Sequence, residues 1–369
     1  MQMLRIDRSK TLREEPHCGH NRWHPEIEPK LEIGEGEEIG IETRDASDGN
    51  ITRTTTPADF VRAARGAVHP LTGPVAVKGA KPGDLLEIEF LDIIPTDWGF
   101  SCIYQGMGYL RDVMTTPFIA HWDLKDGFAT SKQIPGVRIP AAPFMGISGV
   151  APSHAQVEAW TRREADLAAR GGTALPPDPA HAVPAGGRVA AAGLRTMPPR
   201  ENGGNMDVKQ LTKGAKLFLP VNVEGALFST GDAHYAQGDG EVCLNAVEMS
   251  GTAVVRFKLH RGAAERRKIR WPYFTHASYF QPPQWAVPER FIASMGMPID
   301  ADGNNQMGDT NLCIRNALLQ MIDLLQERGF SREQAYIICS VAADLRVSNV
   351  VDAPNFIVSA LVSEDIFTG

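Results

Sequence analysis

The 369-residue chain is 43% hydrophobic and 22% charged, with a formal net charge of −7. Those figures describe an ordinary globular protein, long enough for one large core or two modest ones. The acidic balance argues against nucleic acid as the main partner, and no apolar run approaches the roughly 18–20 residues that span a membrane.

The densest basic stretch, RGAAERRKIR at 261–270, reads as a solvated turn. At the opening, MQMLRIDRSKTLREEPHC has no apolar segment of the secretory type. The five cysteines (Cys18, Cys102, Cys243, Cys313, Cys339) are scattered and never form a CxxC pair. Reduced thiols in a cytoplasmic protein fit that pattern better than a cysteine-ligated zinc.

In chain order, the first cluster of interest is HCGHNRWHPEIEP at 17–29, with His17, His20, His24, Glu26 and Glu28. Pro25 and Pro29 oppose a regular helix there, so substrate binding or packing is expected before chelation. Residues 30–51 read as strand, turn, strand, and their Asp45 and Asp48 read as turn acids. The same design recurs at 73–95 around KPGD and at 211–232, and 241–260 reads as a hairpin closing at Ser250-Gly251. Short strands spaced by Gly, Pro and Asp predict a mainly β (α+β) protein with an antiparallel sandwich or barrel core.

Two segments break that pattern. Residues 153–170 predict a helix capped by Ser153, with an apolar stripe of Val157, Trp160, Ala165 and Leu167. The Ala/Pro/Gly-rich stretch 171–204 then reads as a long irregular excursion of a functional kind. Residues 308–329 predict a strong amphipathic helix, and 331–352 a further helix turning extended. The whole chain, 1–369, reads as one catalytic unit with an insertion at about 153–203 and a helical portion at about 308–345.

Familiar catalytic signatures are missing: there is no GxSxG, no HExxH and no phosphate-cradling GxxxxGK[ST]. Acids and histidines remain. In FSTGDAHYAQGDGE (228–241), Asp232 and His234 are two apart, so on an extended segment they share one side. Glu241 follows two glycines, with Cys243 two positions on. In ENGGNMDVKQL (201–211), Asp207 follows Asn205 behind a pair of glycines. An acidic turn without chemistry is the plain alternative for both stretches.

Together, HPLTGPVAVKGAKPGDLLEIEFLDI, GVRIPAAPFMGISGVAP, GGNMDVKQLTKGAKLFLPVNVEGALFSTGDAHYAQGDGEV and AYIICSVAADLRVSNVVD closely resemble the acetamidase/formamidase family. The resemblance runs in order from about residue 17 to about 355. The extended N-terminus and the insertion look like the formamidase branch. His69 stands where many relatives carry asparagine, which weakens a catalytic role for it. The resemblance implies a cytoplasmic homo-oligomer with a jelly-roll-like β-sandwich core. It also implies hydrolysis of a small primary amide, formamide plus water giving formate and ammonia.

Amide hydrolysis needs an activated water and a stabilised oxyanion. That requirement assigns Asp207, Asp232 and His234 as ligands of a divalent metal, zinc first, with magnesium or calcium as alternatives. Glu241 is the expected general base, with Asp207 or Asp45 as the alternatives. Asn205, Gln237 and the backbone N–H groups of Gly146 and Gly149 are expected to hold the amide. The insertion, through Trp160, is expected to narrow the pocket. Two other readings stay open: a metal-free Cys243/Glu241 amidase, and a non-enzymatic ion- or carbohydrate-binding sandwich.

Overall fold

The computed structural model describes residues 1–60 and 68–368. Two sheets carry the architecture. The first orders its six strands Gln2–Leu4, Glu38–Thr43, Gly251–His260, Leu85–Pro95, Ala215–Pro220 and Tyr273–His276. The second, of eleven strands, is built around Phe228–His234, which pairs antiparallel with Phe144–Gly149, Leu71–Val77 and Glu248–Met249. Pairing is antiparallel throughout except where Gln2–Leu4 joins Glu38–Thr43 and Leu31–Ile33 joins Leu71–Val77.

Strands form at every strand–turn–strand unit foreseen from the sequence, yet none of the four is a hairpin. Leu31–Ile33 lies in the larger sheet and Glu38–Thr43 in the smaller; the same division separates Leu71–Val77 from Leu85–Pro95. Ala215–Pro220 and Phe228–His234 divide likewise, as do Glu248–Met249 and Gly251–His260 across Ser250. Each turn therefore carries the chain from one sheet to the other. Gly and Pro chemistry fixes where a chain reverses, but burial of the apolar faces decides which strand it pairs with.

Those crossings wrap a core between the sheets. Ile39, Ile41, Ile88 and Phe90 from the smaller sheet meet Val75, Val77 and Phe228 from the larger, all fully buried. The Phe228 and Phe257 rings meet edge to face at 5.3 Å between centroids. No helix among the described residues is long and apolar enough to cross a membrane.

The helix His154–Ala169 starts at a Ser153 capping box completed by Gln156. Its Val157 and Trp160 join Trp23, Leu71, Ile147 and Leu194 in a small separate cluster. Ala165 and Leu167 stay exposed, so the apolar stripe is shorter than the sequence suggested. The excursion after it is not wholly irregular. Leu194–Arg195 pairs with Arg22–Trp23, and Gly203–Asn205 adds an edge to Phe144–Gly149. Near the C-terminus, helices Thr310–Glu327 and Arg332–Ala342 begin at the side-chain caps Asp309 and Ser331. Three strands, Phe291–Gly296, Ile357–Ser363 and Asp344–Asn349, form a small sheet beside the first of them. Gly296 permits that contact, since a Cβ there would sit 2.0 Å from the Cys313 carbonyl oxygen.

Candidate active site

The strand Phe228–His234 is buried at all seven positions. It ends in a loop that the second C-terminal helix pins from behind. Gly238 N donates to the Ser340 carbonyl at 2.8 Å and Asp239 N to that of Ala343 at 2.7 Å. A Cβ on Gly238 would lie 2.6 Å from the Cys339 carbonyl oxygen, so the loop and helix meet at a distance only glycine allows. Asp239 pairs with Lys209 at 2.9 Å and takes the Leu345 amide, which removes it from the chemistry and makes it a fastener.

Around His234 the acids converge. Asp232 Oδ1 and Glu248 Oε2 each lie 3.3 Å from His234 Nε2, and Glu241 Oε1 lies 3.9 Å from it. Ligand-capable atoms of Asp207, His234 and Glu241 fall within 4.8 Å of one another, as do those of Asp232, His234 and Glu248. Four buried atoms in this knot have no hydrogen-bond partner: Asp207 Oδ1, Asp232 Oδ1, Glu248 Oε2 and His234 Nε2. Buried polar atoms rarely stay unpaired, so four aimed at one another mark a place built for a cation or substrate. One imidazole nitrogen with several carboxylate oxygens suits zinc and also admits harder divalent ions.

The tautomer of His234 is fixed from outside the knot. Gln237 Nε2 donates to the Asp207 carbonyl at 2.8 Å, which leaves its Oε1 to face His234 Nδ1 at 3.0 Å. The oxygen accepts, so Nδ1 carries the hydrogen and Nε2 turns toward the acids. Asp207, Asp232 and Glu241 all hold left-handed backbone, with φ of 48°, 57° and 46°. That conformation costs a non-glycine residue roughly 1–3 kcal/mol and gathers where side-chain aim matters.

Charge follows the geometry. Burial first, then the neighbouring Asp207, drives the Glu241 carboxyl well above its ordinary range. Burial likewise raises Asp207 to about 7 and raises Glu248. At Asp232 burial works in the same direction, but the neighbouring charge of His234 outweighs it and holds this carboxyl below its usual range. Burial opposes charge on His234, yet Glu248 and Asp232 win and favour its protonated form. A divalent cation would take that proton's place on Nε2.

A cavity of about 110 Å³ opens against this knot. Asp232, Glu241, Glu248, Asn205 and His69 form its polar side; Ile51, Phe100, Met107 and Met197 form an apolar wall. The structure thus brings Asp207, Asp232, His234, Glu241 and Asn205 together. Several assignments change. Gln237 spends its amide on His234 and Asp207, so it positions the imidazole instead of holding substrate. A Cβ on Gly146 would meet Asp207 Oδ1 at 2.7 Å and His234 Cε1 at 2.9 Å, so this glycine makes room for the knot. Gly149 is packed against Trp23 and Gly204 and does not line the cavity.

Trp160 lies in the separate apolar cluster, and the insertion reaches the cavity through Met197 instead. Asp45 takes the Ser47 amide at 2.8 Å and supports the cavity rim without lining it; Asp48 takes the Leu12 amide beside Arg44. Glu241 sits in a loop, so it shares no strand face with Cys243. Burial pushes the Cys243 thiol up to about 12, which removes the thiolate that a metal-free amidase would need.

Glu248 escaped the sequence reading. Its signal was an acid inside the apolar run Ala246–Met249, every member of which is buried. Register places it opposite His234.

The acetamidase/formamidase family model matches residues 5–369. The chain belongs to that family. An acetamidase from Mycolicibacterium smegmatis is 35% identical over 359 residues, covering 90% of this chain and 87% of the relative. A formamidase from Methylophilus methylotrophus is 32% identical, covering 99% of this chain and 93% of its own. Among solved structures, a gamma lactamase from Delftia acidovorans superimposes with a TM-score of 0.94 at 33% identity, covering 100% of this chain and 94% of that one. This member of the family is accordingly an amidohydrolase of mainly β fold.

Proposed function

We propose that the enzyme hydrolyses a short primary amide to the carboxylate and ammonia, formamide being the smallest candidate. The observation that carries this reading is the knot of four unpartnered buried atoms, two of whose residues, Asp232 and Glu248, line the cavity that opens against it. A divalent cation, zinc by preference, would be held by His234 Nε2 with Asp232, Asp207 and Glu248. It would polarise the carbonyl and lower the pKa of water. Glu241 removes a proton from the water that attacks the carbonyl carbon. When the C–N bond breaks, the same carboxyl returns that proton to nitrogen and ammonia leaves. Asn205 Oδ1, unpartnered at the cavity, accepts from the amide NH₂.

The apolar wall supports acyl groups longer than formyl, since each buried methylene contributes about 0.8 kcal/mol. It also supports a second reading, ring opening of a small lactam, in keeping with the Delftia neighbour. Ammonia release from formamide, acetamide and propionamide, run beside ring opening of 2-pyrrolidinone, tests both. Release from the linear amides is expected; product from none of the four would reject the hydrolase assignment for these substrates. Five buried free cysteines support a cytoplasmic setting, and the exposed Phe291 and Met295 support a homo-oligomer.

A further inference from the structure

His69 is a titratable group on the cavity wall that the mechanism above leaves unused. Its backbone is clamped on both sides by one side chain. The His69 N–H donates to Thr196 Oγ1 at 2.9 Å, and the Thr196 hydroxyl donates to the His69 carbonyl at 3.2 Å. Thr196 belongs to the insertion and stands next to Met197, which also lines the cavity. The imidazole itself is bound by nothing comparable: Nδ1 is buried with no hydrogen-bond partner. A cavity-lining imidazole with a clamped backbone and a buried nitrogen that has no protein partner is poised for a ligand the protein does not supply.

We propose that His69 is a catalytic hydrogen-bond donor to the amide carbonyl oxygen, aimed by Thr196 of the insertion; the proposal rests on the amide-hydrolase reading above. An imidazole carries at least one N–H in either protonation state, so a donor is always present. As water adds to the carbonyl carbon, the C=O electron pair moves onto oxygen, and this N–H meets the growing charge. No proton leaves the ring in the step. Donors placed at such an oxygen act mainly in the transition state, so their removal lowers kcat more than it raises KM. Thr196 is a positioning residue that acts through His69.

The test measures kcat and KM for acetamide, bound divalent metal and thermal midpoint on purified wild type and four variants. His69→Ala is expected to lower kcat by about 100-fold or more while KM moves less than about threefold. His69→Asn, which keeps an uncharged N–H donor, is expected to recover at least about tenfold of that loss. Thr196→Val is expected to lower kcat by about tenfold, and Thr196→Ser to restore it. Wild-type kcat in His69→Ala overturns the proposal, as does a pure KM effect. Loss of metal in step with activity also overturns it, by placing His69 among the ligands. Should His69→Ala fail to fold, His69→Asn and the Thr196 pair decide: kcat of His69→Asn and Thr196→Val both at wild type refutes the role. A wild type inactive on every amide would sink the hydrolase reading itself, a different failure from an active His69→Ala.

Discussion

Two regions of this chain that crowd histidine with acids carry similar promise in the sequence and opposite fates in the fold. At the N-terminal stretch, His20 Nε2 meets Ser229 Oγ at 2.8 Å, its ring leans on Trp23, and burial drives its pKa down to about 3. His24 accepts from the Glu26 amide through Nδ1 and meets the His154 ring edge to face. Through His20 Nε2 and His24 Nδ1 these side chains bond to protein groups and hold structure. His234 instead gathers Asp232 from its own strand, Glu248 from the adjacent strand, Glu241 from a loop and Asp207 from beyond the insertion. The difference teaches that crowding along a chain is weak evidence of chemistry. Convergence of unpaired acceptors from distant segments is strong evidence, because the fold sustains there more buried carboxylates than one imidazole can offset.

That contrast can be broken by substitution, beginning with the largest effect. Glu241→Gln keeps size and removes the base, so kcat for acetamide should fall at least about 1000-fold with the thermal midpoint retained. Stopped-time ammonia assays beside a melting curve check it; a loss of only a few-fold would move the base elsewhere. Gln237→Ala should cut activity or metal affinity by about 10–100-fold, the usual cost of losing a group that orients a ligating imidazole. Gln237→Glu, which still accepts from Nδ1, should retain more activity, and equal losses in both variants would remove the tautomer argument. At the other region, His20→Ala should cost about 1–3 kcal/mol of stability by stranding Ser229 and leave kcat within about twofold. A collapse of kcat there without unfolding would erase the distinction drawn between the two regions.

Much of the scaffold was legible. Gly, Pro and Asp turns announced the strands Leu31–Ile33, Glu38–Thr43 and Leu85–Pro95, while the Ser153 cap announced the helix after it and apolar periodicity the helix Thr310–Glu327. Pairing was not legible, because a turn between two sheets uses the same residues as a hairpin turn. Asp232, His234 and Glu241 could be read because glycines crowd them into one phrase. Glu248 and His69 could not, since only the register opposite His234 and the Thr196 clamp bring them to the cavity. Gln237 was legible as polar but not as spent, for its two bonds depend on where Asp207 folds back.

The central claim is that the acids around His234 hold a divalent cation that the hydrolysis needs. The most direct measurement is ammonia release from acetamide by enzyme stripped with a chelator, then supplied with zinc, magnesium or calcium, with metal content read on each sample. The account predicts that activity disappears with the ion and returns with one of the three, zinc ahead of the others. Full activity in a sample shown to be free of metal would contradict it.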